Sequence, residues 1–389
     1  MGSLLIKNLG QIATGSLGSP RHPGSTIYIE DGVIRAVGGG PASADMVVDA
    51  RGLTAIPGLI DGHVHPLFGE WAPPQETVAW VRAYLHGGVT SMVSAGEVHL
   101  PGLPLNPPDA KIFKYLAVVA RRCNLVRPAG VKMLAGTLMV APGLAEADFD
   151  EIAGEGIRLV KFIFYPYGET GDEGQRYVRW CRARGIRVKI HSGGVSRSGA
   201  SRPAGFAVVR DLGVDIAGHV TGGPIPMPEA DMERVVNETD CYLEIASAGN
   251  YRMTVRLIEM VRRKNALHRV TLGTDTPSGT GILPRGMLRN MNFLASVCGL
   301  TPEEAVCVAT GNTAAAHGLD QGRIEPGRAA DLVLMGRITA SVAKDGLDAL
   351  RLGDLPGISM VFVDGVPLVR TRSEQTPPPE TPAIIERGA

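Results

Sequence analysis

Gly185-Ile186-Arg187-Val188-Lys189-Ile190 is a glycine followed by a run rich in β-branched residues, and it closes on His191. A Gly just beyond a helix takes the left-handed conformation at little cost, and branched residues after it favour a pleated strand. The same unit recurs along the chain. It appears as Gly88 before Val89-Thr90-Ser91-Met92-Val93, Gly130 before Val131-Lys132-Met133-Leu134, Gly156 before Ile157-Arg158-Leu159-Val160, and Gly213 before Val214-Asp215-Ile216-Ala217. Gly156, Gly185 and Gly213 are 29 and 28 residues apart, a period that fits one strand, one loop and one helix, the parallel βα unit. Tyr242 to Ala246 and Val270 to Gly273 read as strands without the glycine, and Leu59-Ile60 as the first, which makes eight. The class is α/β, and the predicted architecture is a (β/α)8 TIM barrel over residues 57–317 with catalytic groups at the carboxyl ends of its strands. Thr301-Pro302-Glu303-Glu304, a capping box with Pro at the first helical position, marks the last helix of this region.

Both ends of the chain read differently. Asp31-Gly32 and Asp364-Gly365 each sit between short alternating apolar runs, a strong hairpin signal, and Ala330 to Met335 adds another strand. Neither terminal piece can form a core alone, so residues 1–56 and 318–389 are expected to pack as one composite β-sandwich with the barrel inserted between them. Gly38-Gly39-Gly40 and the Pro-rich stretch from Thr376 to Pro382 read as linker and frayed end.

The 389 residues carry 39 Lys plus Arg against 39 Asp plus Glu, so no basic surplus exists to hold a phosphate backbone, and nucleic acid is not an expected partner. Gly and Pro, 50 and 28 residues, make about a fifth of the chain and imply many tight connections. Five cysteines without a C-x-x-C pair read as reduced thiols in a reducing compartment. No apolar run is long enough to span a membrane, and the start lacks a signal-peptide pattern, so a soluble cytoplasmic protein is expected.

The sharpest motif is Pro57-Gly58-Leu59-Ile60-Asp61-Gly62-His63-Val64-His65, a strand that ends in His-x-His. Residues i and i+2 of a strand face the same side, so His63 and His65 can present two imidazoles to one metal ion at the barrel mouth. His191 and His219 end two further strands, and Asp275 follows Val270-Thr271-Leu272-Gly273-Thr274. Alone, each could be a hydrogen-bonded core histidine or a helix cap. Together they put five donors on one rim, a mixture that suits one or two divalent transition ions, Zn²⁺ before Fe²⁺ or Mn²⁺.

With these residues in that order the chain resembles the amidohydrolase superfamily, over nearly its whole length. The flanking sandwich is included through Gly322-Arg323-Ile324-Glu325-Pro326-Gly327-Arg328-Ala329-Ala330-Asp331. His86-Gly87-Gly88-Val89-Thr90, Pro277-Ser278-Gly279-Thr280-Gly281 and Gly353-Asp354-Leu355-Pro356-Gly357 are similar to the superfamily's enamidases, which open a cyclic enamide. The resemblance implies hydrolysis of a C–N bond in a small-molecule amide, cyclic by this similarity, by metal-bound hydroxide with Asp275 as proton shuttle. It also implies a homo-oligomer. An N-acyl amide or dipeptide-like hydrolase is the alternative, and a catalytically silent barrel scaffold stands against both.

One departure concerns the bridge between two metals, a carboxylated lysine or a glutamate at the end of the fourth strand in members that hold two ions. Here that segment is Leu159-Val160-Lys161-Phe162-Ile163, and an ungapped alignment puts Phe162 at the bridging place. Lys161 is therefore the candidate bridge, as a carbamate formed with CO₂; an outward-pointing Lys161 with a single-metal site remains open. Lys189 reads as a salt-bridged interior lysine. Lys132 could meet a substrate carboxylate, and His99 sits where a loop could cover the substrate. His22, His86, His268 and His317 read as surface or capping residues.

Overall fold

The computed structural model describes residues 2–66, 74–96, 102–167, 171–195, 201–223, 225–247, 249–277 and 280–387. Strands Leu59–Val64, Val89–Ser94 and Lys132–Leu134 form one parallel sheet. Leu138–Met139, Leu159–Phe162, Arg187–His191, Ile216–Gly218, Tyr242–Ala246 and Val270–Gly273 form a second, in sequence order. All five glycines that announce strands, at 88, 130, 156, 185 and 213, have positive φ. Helices alternate with the strands and bury one apolar face each; Tyr251–Arg263 covers Met253, Leu257, Ile258 and Val261, the spacing of one helical stripe.

The expected third strand is two pieces, interrupted at Ala135-Gly136-Thr137. Gly136 has φ of 92°, and a Cβ there would lie 2.6 Å from the Ala117 carbonyl oxygen, so the chain turns where only glycine fits. No ladder crosses that break, whereas the other two edges of the sheets meet: Asp275 N donates to His63 O at 2.8 Å and His65 N to Thr276 O at 2.6 Å. The strands predicted from sequence are all present, as two ladders rather than one continuous ring.

The terminal segments make two more sheets. One runs, in spatial order, Ile384–Arg387, Met46–Asp49, Ser3–Lys7, Ile27–Glu30 and Val33–Val37; the other runs Val366–Val369, Gly357–Val363, Leu332–Gly336, Thr54–Pro57, Gln11–Ala13 and Arg21–His22. Ile6, Ile27 and Ile29 of the first share a buried core with Ile12, Leu334 and Phe362 of the second. Asp31 and Gly32 have φ of 50° and 78°, and Asp364 and Gly365 have 48° and 73°, the paired positive values of a tight hairpin turn. The tail departs from the frayed end expected: Thr376 and Ala383 are buried and Ile384–Arg387 pairs antiparallel with Met46–Asp49.

Lys132 also departs from its reading as a substrate contact. Its amine lies 2.9 Å from both carboxylate oxygens of buried Asp331 and 2.6 Å from Asp364 Oδ1, so it clamps the parallel sheet to the terminal strands. The reason is position: Lys132 opens its strand, at the amino end, away from the rim that carries the histidines. Removing one partner of a buried pair strands the other, so Lys132→Ala should cost about 3 kcal/mol in urea denaturation while kcat of the folded variant stays near wild type. Lost turnover at unchanged stability would return Lys132 to the substrate.

Candidate metal centre

Asp61, His63 and His65 share one side of the first strand and its extension. Asp61 accepts from Thr274 N at 2.9 Å and Thr274 Oγ1 at 2.6 Å, which ties that strand to the segment carrying Asp275. Lys161 lies inward on Leu159–Phe162, while Phe162 faces the apolar core against Tyr167, with ring centroids 5.1 Å apart. His191 ends the Arg187–His191 strand and His219 follows Ile216–Gly218. Close packing demands a missing side chain opposite His63: a Cβ on Gly273 would come within 2.5 Å of His63 Cβ.

Ligand atoms of His63, His65 and Asp275, all buried, lie within 4.8 Å of one another. His65 Nε2 is 3.1 Å from Asp275 Oδ1, His63 Nε2 is 3.6 Å from the same oxygen, and Lys161 Nζ is 3.0 Å from His63 Nε2. The tautomers follow from the far sides of the rings. His65 Nδ1 lies 2.5 Å from the Gly96 carbonyl and must donate to it, and His63 Nδ1 donates to the Glu244 carboxylate. With Nδ1 donating, the neutral form of each ring turns an Nε2 lone pair toward Asp275, and lone pairs facing a carboxylate oxygen are relieved by a cation. The donor set fits a divalent metal ion on that ground.

His191 and His219 stand beside this group, with ring centroids 4.6 Å apart and His219 5.2 Å from His63. His191 Nε2 donates to Gly194 O at 2.7 Å, which leaves Nδ1 as its lone pair, and His219 Nδ1 is buried with no hydrogen-bond partner. Among the described residues no other His, Cys or carboxylate atom completes the 4.8 Å set, so these two imidazoles border it rather than join it. His219 and Asp275 have φ of 38° and 59°, a backbone state uncommon outside glycine and concentrated at functional sites. His99 lies outside the described residues.

Burial sets the protonation states. It pushes His191 down to about 4 and His219 to about 3, with nearby positive charge adding to the effect, and holds His63 well below the usual imidazole range. The Lys161 amine is pushed down to about 8 by burial, reinforced by Lys189. Lys189 itself donates to Glu244 Oε2 at 2.6 Å and to Gly62 O at 2.7 Å, the interior salt bridge expected of it.

Glu244 and Asp61 have functional positions that the motif reading passes over. Glu244 is fully buried and serves His63 and Lys189 at once; its signal is a lone acid inside the apolar strand Tyr242-Leu243-Glu244-Ile245-Ala246. Asp61 sits within the quoted motif, and burial raises its carboxyl to about 7. His86 and His317, expected as surface or capping residues, each lie in the last turn of a helix but are buried, and His86 Nδ1 accepts from Glu374 N at 3.0 Å.

An α/β fold that gathers histidines and an aspartate at the ends of parallel strands defines the amidohydrolase class of enzyme. The chain belongs to the amidohydrolase family, whose model matches residues 54–368. It is 40% identical over 390 residues to the enamidase of Eubacterium barkeri, covering 99% of this chain and 100% of that protein. A crystal structure of enamidase, titled a member of the amidohydrolase superfamily, superposes with a TM-score of 0.90 over 98% of this chain and 100% of that one, at 40% identity. Imidazolonepropionase of Sphingopyxis alaskensis is 26% identical over 360 residues, 79% of this chain and 86% of that protein. Among the described residues no helix is long and apolar enough to cross a membrane, and the five cysteines are unpaired.

Two outcomes follow. Glu244→Gln weakens the acceptor that orients His63, so metal affinity measured against a competing chelator should fall about 10- to 100-fold; unchanged affinity would leave Glu244 a purely structural partner of Lys189. In chelator-treated protein the unfolded chain takes up protons near pH 6.5 that buried His191, His219 and His317 refuse until about pH 4, 3 and 3. The unfolded state binds more protons in that window, so stability drops as pH falls below 6.5, with Asp61, raised to about 7, offsetting part of the loss. A thermal midpoint that stays level from pH 6.5 to 4 would contradict the neutral-imidazole assignment.

Proposed function

We propose that this chain is a metal-dependent amidohydrolase that cleaves the C–N bond of a small cyclic amide, of the enamide, lactam or imide class. Its scaffold is read as a (β/α)8 barrel, residues 57–317, with a composite β-sandwich from 1–56 and 318–389. The supporting observation is the convergence of His63, His65 and Asp275, whose lone pairs meet within 4.8 Å with Lys161 beside them. The cyclic-amide class draws support from the 40% identity to a protein named enamidase.

His63, His65 and Asp275 would hold one ion, and His191 and His219 a second. Lys161, whose amine lies 3.0 Å from His63 Nε2, would as a carbamate, formed from its free amine and CO₂ with loss of one proton, supply carboxylate oxygens as further ligands. A divalent ion bound here, Zn²⁺ by the donor chemistry with Fe²⁺ or Mn²⁺ as alternatives, supplies a water whose pKa is about 7 and a Lewis acid for the substrate carbonyl. Asp275 takes the proton of that water at a carboxylate oxygen and later delivers it to the departing nitrogen, general base and then general acid. Asp61, through Thr274, fixes the backbone from which Asp275 projects. His99 stays a candidate for contact with the substrate, and the reading keeps a cytoplasmic homo-oligomer.

Assay of lactams, imides and enamides beside N-acyl amino acids and dipeptides tests the substrate class; turnover confined to the second group would move the enzyme to the alternative activity, and none on either would favour the silent scaffold. Asp275→Asn should keep its circular dichroism and bound metal and lose about 10²- to 10⁴-fold in kcat. A near-normal rate would dismiss Asp275 as the shuttle. Protein grown with bicarbonate should carry about two ions per chain, and Lys161→Met fewer; equal metal content in both would leave Lys161 without a bridging role.

A further inference from the structure

Where the third strand breaks at Ala135-Gly136-Thr137 the two parallel sheets part, and a cavity of about 70 Å³ opens between them. Val93, Leu134 and Leu159 form apolar wall, the half-buried Arg121 and the solvent-exposed Arg158 supply the cations, and His317, kept neutral by burial, completes the lining. Among the described residues no carboxylate lines it. Arg121 Nε is buried without a hydrogen-bond partner, and so is Nε2 of His317, a side chain that is only 8% exposed. Arg158 commits one N–H to Ala153 O at 3.1 Å, and Glu155, the acid next to the cavity wall, pairs with Arg122 at 3.0 Å instead.

A buried donor without an acceptor, as Arg121 Nε is, carries the full cost of desolvation, and folded chains rarely keep one unless something else fills the gap. At roughly 10–15 Å³ for each water-sized occupant, the cavity of about 70 Å³ has room for about five to seven heavy atoms. A planar fork of N–H groups matches paired oxygens of a compact anion.

We propose that this cavity binds a small oxyanion of the bicarbonate or phosphate class, held between the guanidiniums of Arg121 and Arg158 with the His317 imidazole at its inner wall. The anion joins the helix Ala110–Cys123, which carries Arg121, to the segment that enters the Leu159–Phe162 strand. It spans the seam at Gly136, where no ladder joins the sheets. Its stabilisation is thus expected to be visible in unfolding, independently of the metal centre.

The test is thermal unfolding of the purified protein against sodium bicarbonate and, separately, sodium phosphate, at constant ionic strength made up with chloride. A saturable rise in Tm of several degrees is expected with at least one of them. Arg121→Gln and Arg158→Gln should each weaken half-saturation about tenfold or more against their own baselines, as loss of a charge-assisted hydrogen bond does. Asp275→Asn and Lys161→Met should keep the rise, since they alter only the metal centre. A response to bicarbonate alone or to phosphate alone identifies the source. No saturable rise with either anion, a rise that survives both arginine substitutions, or one lost in Lys161→Met but kept in Arg121→Gln would overturn the proposal.

Discussion

Glu244 is the pivot of the interior. Its two oxygens receive an imidazole N–H from His63 and an ammonium N–H from Lys189, and none of the three side chains reaches solvent. Burying an ion pair is costly unless further hydrogen bonds complete it, which the Gly62 carbonyl does for Lys189. The arrangement fixes the His63 tautomer and so decides which nitrogen faces the rim. Everything above that layer depends on it, because an imidazole free to flip would present a proton where a ligand lone pair is required.

Two neighbouring lysines show how placement divides roles. Lys161 and Lys189 are register partners on adjacent strands and both are buried. Lys189 meets a carboxylate and a carbonyl, partners that favour its charge. Among the described residues Lys161 meets only His63 Nε2 within hydrogen-bond distance, and burial lowers its pKa to about 8, so on the order of a tenth is free amine at pH 7. A charged lysine is a strut, whereas a partly neutral one is a nucleophile or a ligand. The two side chains thus meet different partners, although the sequence writes them with the same letter.

Much of this was legible before any coordinates. The strands at Tyr242–Ala246 and Val270–Gly273 have the bounds read from the chain, and the glycines before five strands adopt the left-handed backbone that their position demands. Such signals are local, carried by propensity and by one residue's freedom at φ above zero. The rim donors His63, His65 and Asp275 were legible for a different reason: strand parity and strand ends place them without knowledge of packing. What escaped detection was long-range. The reach of Lys132 to Asp331, nearly two hundred positions on, is a docking contact between separate sheets, and no pattern within the third strand encodes it. Glu244 escaped because a single acid in an apolar run states its need for a partner without naming one. The ordered tail escaped because Pro-rich composition resembles a linker until Met46–Asp49 offers an edge.

The break at Gly136 and the crowding at Gly273 belong to one geometric constraint. Parallel strands bring side chains from distant segments to a common rim where their ends converge, and here one seam is drawn tight while another parts. At the seam between Leu59–Val64 and Val270–Gly273 the backbones come so close that His63 occupies the space of a missing Cβ, and hydrogen bonds from Asp275 and His65 close the gap. On the far side, the strand turns at Ala135-Gly136-Thr137 and no ladder crosses. A continuous third strand would satisfy more backbone groups locally. The missing side chain at Gly273 lets His63 come within range of His65 and Asp275, while the sheets stay apart at Gly136.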